Sequence, residues 1–328
     1  MEKRRLGNTD VEVSVIAEGC WPMGGWYWGG ANDEESLRTI HRACELGINF
    51  FDTAPAYGAG HSEEVLGKGL VGRRGDVVIS TKIPPNMLSP EKMDESLAES
   101  LRRLQTDYVD VCFVHWPNRN EPIARTMEIL ESYRREGRIR AIGVSNFTVD
   151  MLELASKHGT VDALQPPYNL LWRFIEEDVM PYCTEHGIGI TTYSSLAQGM
   201  LTGTLRLNTT YRDGDLRPRS ILWQSENYGK CLYTVERLRP IAKELGVSIA
   251  QLALRWLISQ PGVTSALVGA QTPDEISENA GTVGWQLPAS TLSMVQEISD
   301  ELYLSMPYYY DMWGNWRTWN RKGPQREA

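Results

Sequence analysis

What this sequence lacks narrows its class before any motif is read. It has no basic surplus: 33 lysines and arginines stand against 42 aspartates and glutamates, a net charge of −9. That argues against a nucleic-acid footprint, which needs a cationic face. It has no paired cysteines. Cys20, Cys44, Cys112, Cys183 and Cys231 are odd in number, scattered and without a C-x-x-C spacing, which predicts free thiols in a reducing compartment. No run approaches the ~18 apolar residues that a spanning helix needs, and the basic start MEKRRLGNTD leads into no apolar signal segment. These absences predict a soluble cytoplasmic protein. No linker or low-complexity stretch divides the 328 residues, and no G-x-G-x-x-G turn follows an early strand. The latter argues against an open, doubly wound sheet.

What is present is a repeated unit. A glycine that ends a helix and leads directly into an apolar strand recurs at Gly47, Gly137, Gly159 and Gly187, as suits the left-handed position after a helix. Between strands, segments such as PEKMDESLAESLRRL place Met93, Leu97, Leu101 and Leu104 on one helical face. Ser89 before Pro90, and Thr272-Pro273-Asp274-Glu275, read as helix starts, the second with a capping box. Strands are expected near 15–17, 49–51, 77–80, 109–114, 140–144, 163–164, 188–192 and 266–268. Eight alternating units predict an α/β fold of the (β/α)8 TIM-barrel type. RRLGNTDVEV predicts an N-terminal β-hairpin that caps the barrel floor. We expect a single domain over 1–328, with a long loop at about 203–230 and an aromatic C-terminal tail at about 303–328.

A barrel places its active site at the C-terminal ends of its strands. Four polar residues fall there and form a chemical set: Asp52, Tyr57, Lys82 and His115. Tyrosine is a poor acid, with an ordinary pKa of ~10. A lysine cation nearby is expected to lower that value, and an aspartate would hold the lysine charged. A histidine can bond a carbonyl oxygen. Together they would protonate an alkoxide as it forms. Taken singly, an Asp–Lys pair is ordinarily a salt bridge; the set gains meaning from arriving on adjacent strand ends.

At these residues the sequence resembles the aldo-keto reductase superfamily, and among its branches the bacterial members near the inositol-operon reductases and the potassium-channel β subunits. The pieces are GINFFDTAPAYGAGHSEEVLG (47–67), ISTK (79–82), VHWP (114–117), GRIRAIGVSNF (137–147), QPPYN (165–169) and PDEISENAG (273–281). The resemblance implies an NAD(P)H-dependent enzyme that interconverts a carbonyl and an alcohol by direct hydride transfer, without a metal. It assigns Tyr57 as proton donor, Lys82 and Asp52 as the pair that tunes it, and His115 as the residue orienting the carbonyl. Ser145, Asn146 and Gln165 would hold the nicotinamide carboxamide, and Tyr193 would stack beneath the ring. Ser194, Leu196, Gln198, Gly199 and Leu201 would line the pyrophosphate, with Gly19, Trp21 and Asp52 also on the cofactor. Gly269, Gln271, Glu275, Glu278 and Asn279 would surround the adenosine. Many relatives carry a basic residue after the strand-eight Gly-Ala and near position 275, where it binds the 2′-phosphate of NADP. Gln271 and Glu275 depart from that, so NADP and NAD both stay open.

Tryptophan is abundant, 11 in all. Trp21, Trp26 and Trp28 follow the first strand, Trp116 follows His115, and Trp313, Trp316 and Trp319 lie with Tyr308, Tyr309 and Tyr310 in the tail. Aromatic faces with polar edges suit sugars and polyols. Trp21, Trp26 and Trp116, with Tyr57 and His115, are therefore candidate substrate contacts, and the substrate is expected to be a sugar-like or similarly polar carbonyl compound. The alternative function is a cofactor-binding regulatory subunit with little turnover.

Overall fold

In the computed structural model of the chain, residues 1–26, 30–306 and 311–314 are described. Trp28, Tyr308, Tyr309, Tyr310, Trp316 and Trp319 lie outside them. The strands are β1 (Lys3–Arg5), β2 (Glu12–Ser14), β3 (Ile16–Gly19), β4 (Phe50–Asp52), β5 (Val78–Ile83), β6 (Val109–Val114), β7 (Ile139–Ser145), β8 (Ala163–Gln165), β9 (Gly189–Thr192) and β10 (Val263–Val268). The helices are α1 (Asp33–Glu45), α2 (His61–Gly69), α3 (Pro90–Leu104), α4 (Ile123–Arg135), α5 (Val149–Ser156), α6 (Val179–His186), α7 (Ser225–Leu245), α8 (Ile249–Ile258), α9 (Pro273–Ala280) and α10 (Ala289–Ser305). Strands β3 to β10 close in parallel, β10 pairing with β3, as the expected TIM barrel. β1 and β2 form the separate antiparallel hairpin.

Strand alternation explains how one sequence makes both a packed core and a site. Ala17, Phe50, Val78, Val111, Phe113, Ala141, Ala163 and Leu267 fill the barrel interior. Continuing the same inward columns two residues at a time reaches Asp52 from Phe50, Ser80 and Lys82 from Val78, His115 from Phe113, and Gln165 from Ala163. Gly143 leaves the inner space that Phe113 occupies, since a Cβ there would lie 2.2 Å from that ring. The outward columns pack on the helices in a second, larger apolar layer.

The hairpin plugs the floor. Leu6, Val11 and Val13 are buried against the interior column. Gly7, at φ +56°, sits so close to the β8 and β9 entrances that a Cβ would approach Asp162 O to 2.3 Å, a turn only glycine fits.

Two local expectations are corrected, at Gly159 and at the start of α9. Gly47, Gly137 and Gly187 take positive φ, but Gly159 does not; a Cβ there would press on Glu131 and Met127, so packing rather than a left-handed cap accounts for it. Ser89 stands, as expected, at the N-cap of α3 with Pro90 at the first helical position, though its side chain makes no capping hydrogen bond. At α9, Thr272 caps Glu275 N, but the Glu275 carboxylate bonds Gln271 N rather than closing a capping box on Thr272. The irregular segment after Gly203 carries two short 3-10 turns and gives way to α7 at Ser225. All five cysteines are free. Among the described residues no helix is long and apolar enough to cross a membrane.

Candidate active site

Asp52, Tyr57, Lys82 and His115 meet at the C-terminal mouth of the barrel. Lys82 is fully buried, and its Nζ donates to Asp52 Oδ2 at 2.6 Å, to the Thr53 carbonyl at 2.8 Å and to Tyr57 Oη at 3.2 Å. Asp52 Oδ1 accepts from Ser80 Oγ at 2.6 Å and Gln165 Nε2 at 3.0 Å. Both carboxylate oxygens are thus satisfied, as a buried charge requires. His115 meets the Tyr57 ring edge-on, with centroids 6.0 Å apart.

Burial pushes the Tyr57 phenol above its usual pKa; Lys82 opposes this and Asp52 reinforces it. Lys82 does pull the phenol down, as expected, but burial outweighs it and leaves the phenol above its ordinary value, and Asp52, 2.6 Å from the ammonium, adds to the rise. Lys82 itself is drawn down by burial, but Asp52 and Tyr57 outweigh that and hold it above its usual value. Burial, joined by the Lys82 charge, lowers His115 to about 3. The result is a protonated phenol, a charged lysine and a neutral imidazole at physiological pH.

The loop carrying Tyr57 is anchored by the motif around it. Ser62 Oγ donates to the Cys20 carbonyl at 2.7 Å and shares a 2.9 Å hydrogen bond with Thr53 Oγ1. Glu63 accepts from Thr81 Oγ1 at 2.7 Å and from Arg103 at 3.0 Å. The serine and glutamate of the 47–67 motif thus tie α2 to the ends of β3, β4 and β5.

On the opposite rim, Ser145, Asn146, Gln165 and Tyr193 form one network. Ser145 Oγ donates to the Gln165 carbonyl at 2.8 Å, Asn146 Nδ2 to the His115 carbonyl at 3.2 Å, and Tyr193 Oη to Asn146 Oδ1 at 2.9 Å. Asn146 takes φ +63°. The turn after β9 runs through positive φ at Ser194, Ala197, Gln198 and Gly199. Leu196 is half-buried and Leu201 buried beneath it. Gln198 Nε2 bonds Ser194 Oγ and Met312 Sδ, leaving its buried Oε1 without a partner.

Gly19 lies against Gly269 at the β3–β10 seam. Beyond it, Asn279 is buried in α9, Glu278 is exposed, and Glu275 holds the amide of Gln271. Trp21 stacks on Tyr57 at 5.9 Å, and Trp116 is half-buried against the core. Trp26 is placed elsewhere, at 54% exposure, in a cavity of about 850 Å³ shared with Tyr211, Arg212, Arg217 and Gln271. None of the four catalytic candidates lines that cavity.

Three contributors escaped the sequence reading: Ser80, Glu18 and Met312. Ser80 had a signal, since it precedes Lys82 by two positions on one strand. Glu18 also had one, as an acid in the outward, helix-facing column of β3. Met312 had none. Trp313, of the aromatic tail, packs edge-on against Trp21 at 6.2 Å, from nearly three hundred residues away in sequence.

Among the described residues no group of three His, Cys, Asp or Glu side chains could hold a metal ion. A profile of the Aldo/keto reductase family matches residues 16–300. The chain is 38% identical to "Aldo-keto reductase YhdN" of Bacillus subtilis over 298 residues, covering 88% of this chain and 90% of that one. It is 34% identical to the "NADH-specific methylglyoxal reductase" of Escherichia coli over 326 residues, covering 92% and 99%. Its structure resembles that of a glycerol dehydrogenase from Gluconobacter oxydans, with a TM-score of 0.84, 33% identity, and coverage of 94% and 97%. Barrel, site geometry and relatives agree: the chain belongs to the aldo/keto reductase family and is an NAD(P)-dependent oxidoreductase.

Proposed function

We propose that the protein interconverts a small polar carbonyl compound, sugar-like or of similar polarity, with its alcohol, using Tyr57 as proton donor. The observation that carries this reading is the Asp52–Lys82–Tyr57 chain, 2.6 and 3.2 Å in its two links, ending beside a neutral His115.

A nicotinamide dinucleotide fits the surrounding surface. The partnerless Oε1 of Gln198 is an acceptor awaiting a donor, and open space lies where a Cβ of Gly199 would point. Ser145, Asn146 and Gln165 would hold the carboxamide and Tyr193 the ring. Ser194, Leu196, Gln198, Gly199 and Leu201 would line the pyrophosphate, with Gly19 and Trp21 alongside. Gly269, Gln271, Glu275, Glu278 and Asn279 would take the adenosine end. When bound, the nicotinamide supplies the hydride in reduction and accepts it in oxidation.

The chain's own residues do the rest. Neutral His115 donates a hydrogen bond to the carbonyl oxygen and aims it at Tyr57. As that oxygen gains charge, Tyr57 releases its proton to it. The phenolate left behind is stabilised by the Lys82 ammonium, which Asp52 keeps in place. Trp21, stacked on Tyr57 and flanked by Trp313, would offer an apolar face to C–H groups, with Trp116, next to His115 in sequence, as a further candidate contact. The names of two relatives, a methylglyoxal reductase and a glycerol dehydrogenase, concern three-carbon polar compounds and support this substrate class.

The test is Tyr57→Phe assayed on a panel of sugars, small keto compounds and hydrophobic aldehydes. Turnover should fall by about 10²–10⁴-fold, with dinucleotide binding and melting temperature retained. Near-normal turnover would remove Tyr57 from its role. Activity confined to hydrophobic aldehydes would overturn the substrate class.

A further inference from the structure

Ser80 has no task in the mechanism above, yet its place in the barrel sets it apart. β5 turns Val78, Ser80 and Lys82 inward in succession. On either side the interior is filled by Phe50 of β4 and by Val111 and Phe113 of β6. Ser80 puts a hydroxyl among them, fully buried, in register with Asp52 on β4 and Val111 on β6. A buried hydroxyl is costly unless it is hydrogen-bonded, and alanine would fill this place without that cost. The partner of the hydroxyl is Asp52: Ser80 Oγ donates to Oδ1 at 2.6 Å.

The two oxygens of Asp52 face different groups. Oδ2 meets the Lys82 ammonium at 2.6 Å. Oδ1 accepts from Ser80 and from Gln165 Nε2, which reaches it from β8 at 3.0 Å. The terminal torsion of an aspartate is broad and roughly two-fold, so the donors around the carboxylate set its orientation. Gln165 is one of them, but under the reading above it also holds the nicotinamide carboxamide. Ser80 is buried one step behind Lys82 in the same column, so its donation does not depend on what the mouth has bound. The ammonium commits its three N–H groups to Asp52 Oδ2, the Thr53 carbonyl and Tyr57 Oη. It has no further proton with which to follow a turning carboxylate and still reach Tyr57.

We propose that Ser80 is a positioning residue of the proton-donating site: by holding Asp52 Oδ1 it keeps Oδ2 on Lys82, and so keeps the ammonium on the Tyr57 oxygen. The proposal rests on Tyr57 being the proton donor. Among the described residues, the titratable groups that face Tyr57 are Lys82, Asp52, Cys20, His115 and Tyr193. Burial holds Cys20 and Tyr193 protonated and His115 neutral. The charge that Tyr57 meets is therefore that of the Asp52–Lys82 pair. Without Ser80, Asp52 is less well compensated and Lys82 less well placed. Both changes disfavour the phenolate.

The experiment is an ultraviolet titration of the Tyr57 phenolate, read directly after a rapid pH jump so that alkali does not unfold the chain. The signal is the difference between each protein and the same protein carrying Tyr57→Phe. Ser80→Ala should raise the midpoint by about one pH unit, the size of one hydrogen bond to a charged group. In steady-state reduction of the panel compound turned over best, kcat should fall by up to about tenfold, as expected for a weaker acid, with KM held. Ser80→Thr keeps the hydroxyl and should restore both. If Ser80→Ala does not fold, Ser80→Cys, which offers a weak S–H donor, should move the midpoint the same way by less. An unmoved midpoint in the folded variant, or one moved as far by Ser80→Thr as by Ser80→Ala, would overturn the proposal: the hydroxyl would then serve folding alone, and the role of Tyr57 would stand. Near-normal turnover in Tyr57→Phe would instead overturn the reading of Tyr57, and this proposal with it.

Discussion

At the floor of the barrel the inward columns end on Leu6, Val11 and Val13 of the hairpin; at the mouth the same columns end on Asp52, Lys82, His115 and Gln165. One end is sealed by apolar fit, close enough that Gly7 cannot carry a side chain. The other holds a buried ion pair whose every polar atom must find a partner. Apolar burial is non-directional and tolerates small displacement, whereas the mouth depends on hydrogen bonds set to a few tenths of an ångström. The same eight strands therefore supply stability at one end and chemistry at the other.

Substitutions at the two ends should separate these roles. The largest effect is expected from Lys82→Met. It leaves Asp52 charged, buried and bonded only to Ser80 and Gln165, a loss of about 3–5 kcal/mol in stability together with collapse of turnover. Chemical denaturation and steady-state kinetics read both; a stable but inactive variant would show that the pair serves catalysis alone. Leu6→Ala at the floor should cost about 2–5 kcal/mol with kcat nearly unchanged at a temperature where the protein stays folded. A matching loss of kcat would mean that the two ends are coupled through the strands.

A smaller effect concerns pH. Because His115 is held at about 3 and Tyr57 above its ordinary value, kcat/KM for reduction should be flat from about pH 5 to about pH 9. An acid limb near pH 6.5 would show that the imidazole is charged in the working enzyme. The same shift bears on stability. His115 takes up its proton near its ordinary value when unfolded but only near 3 when folded, so the unfolded state binds more protons in between. Stability should then decline as pH falls from about 6.5 toward 3, and His115→Gln should flatten that decline without moving the neutral-pH melting temperature far.

Much of this was legible beforehand. Asp52, Tyr57, Lys82 and His115 stand in strand-end positions, and their spacing within short, specific motifs marks them without any coordinates. The barrel followed from eight alternating units, and the hairpin from its turn residues. Less legible was what the set does to itself. The sequence shows a lysine near a tyrosine, but the sign of the net shift is set by burial, which outweighs the lysine, with Asp52 adding to the rise. Trp26 illustrates a second limit. It lies five residues from Trp21, yet Trp21 stacks on Tyr57 while Trp26 lines the cavity of the 210–217 loop, the chain turning through Pro22–Gly24 between them.

By itself the sequence determined the closed α/β barrel, its polar mouth and the candidate groups that meet there, since alternation, helix periodicity and motif spacing are local properties carried by neighbouring residues. Tertiary structure decided which proton each group holds, that Glu18 and Glu275 occupy the Ala270 and Gln271 amides after β10, and that Trp313 meets Trp21 edge-on. Those outcomes rest on burial and on distances between residues far apart in the chain, and neither quantity exists until the strands close.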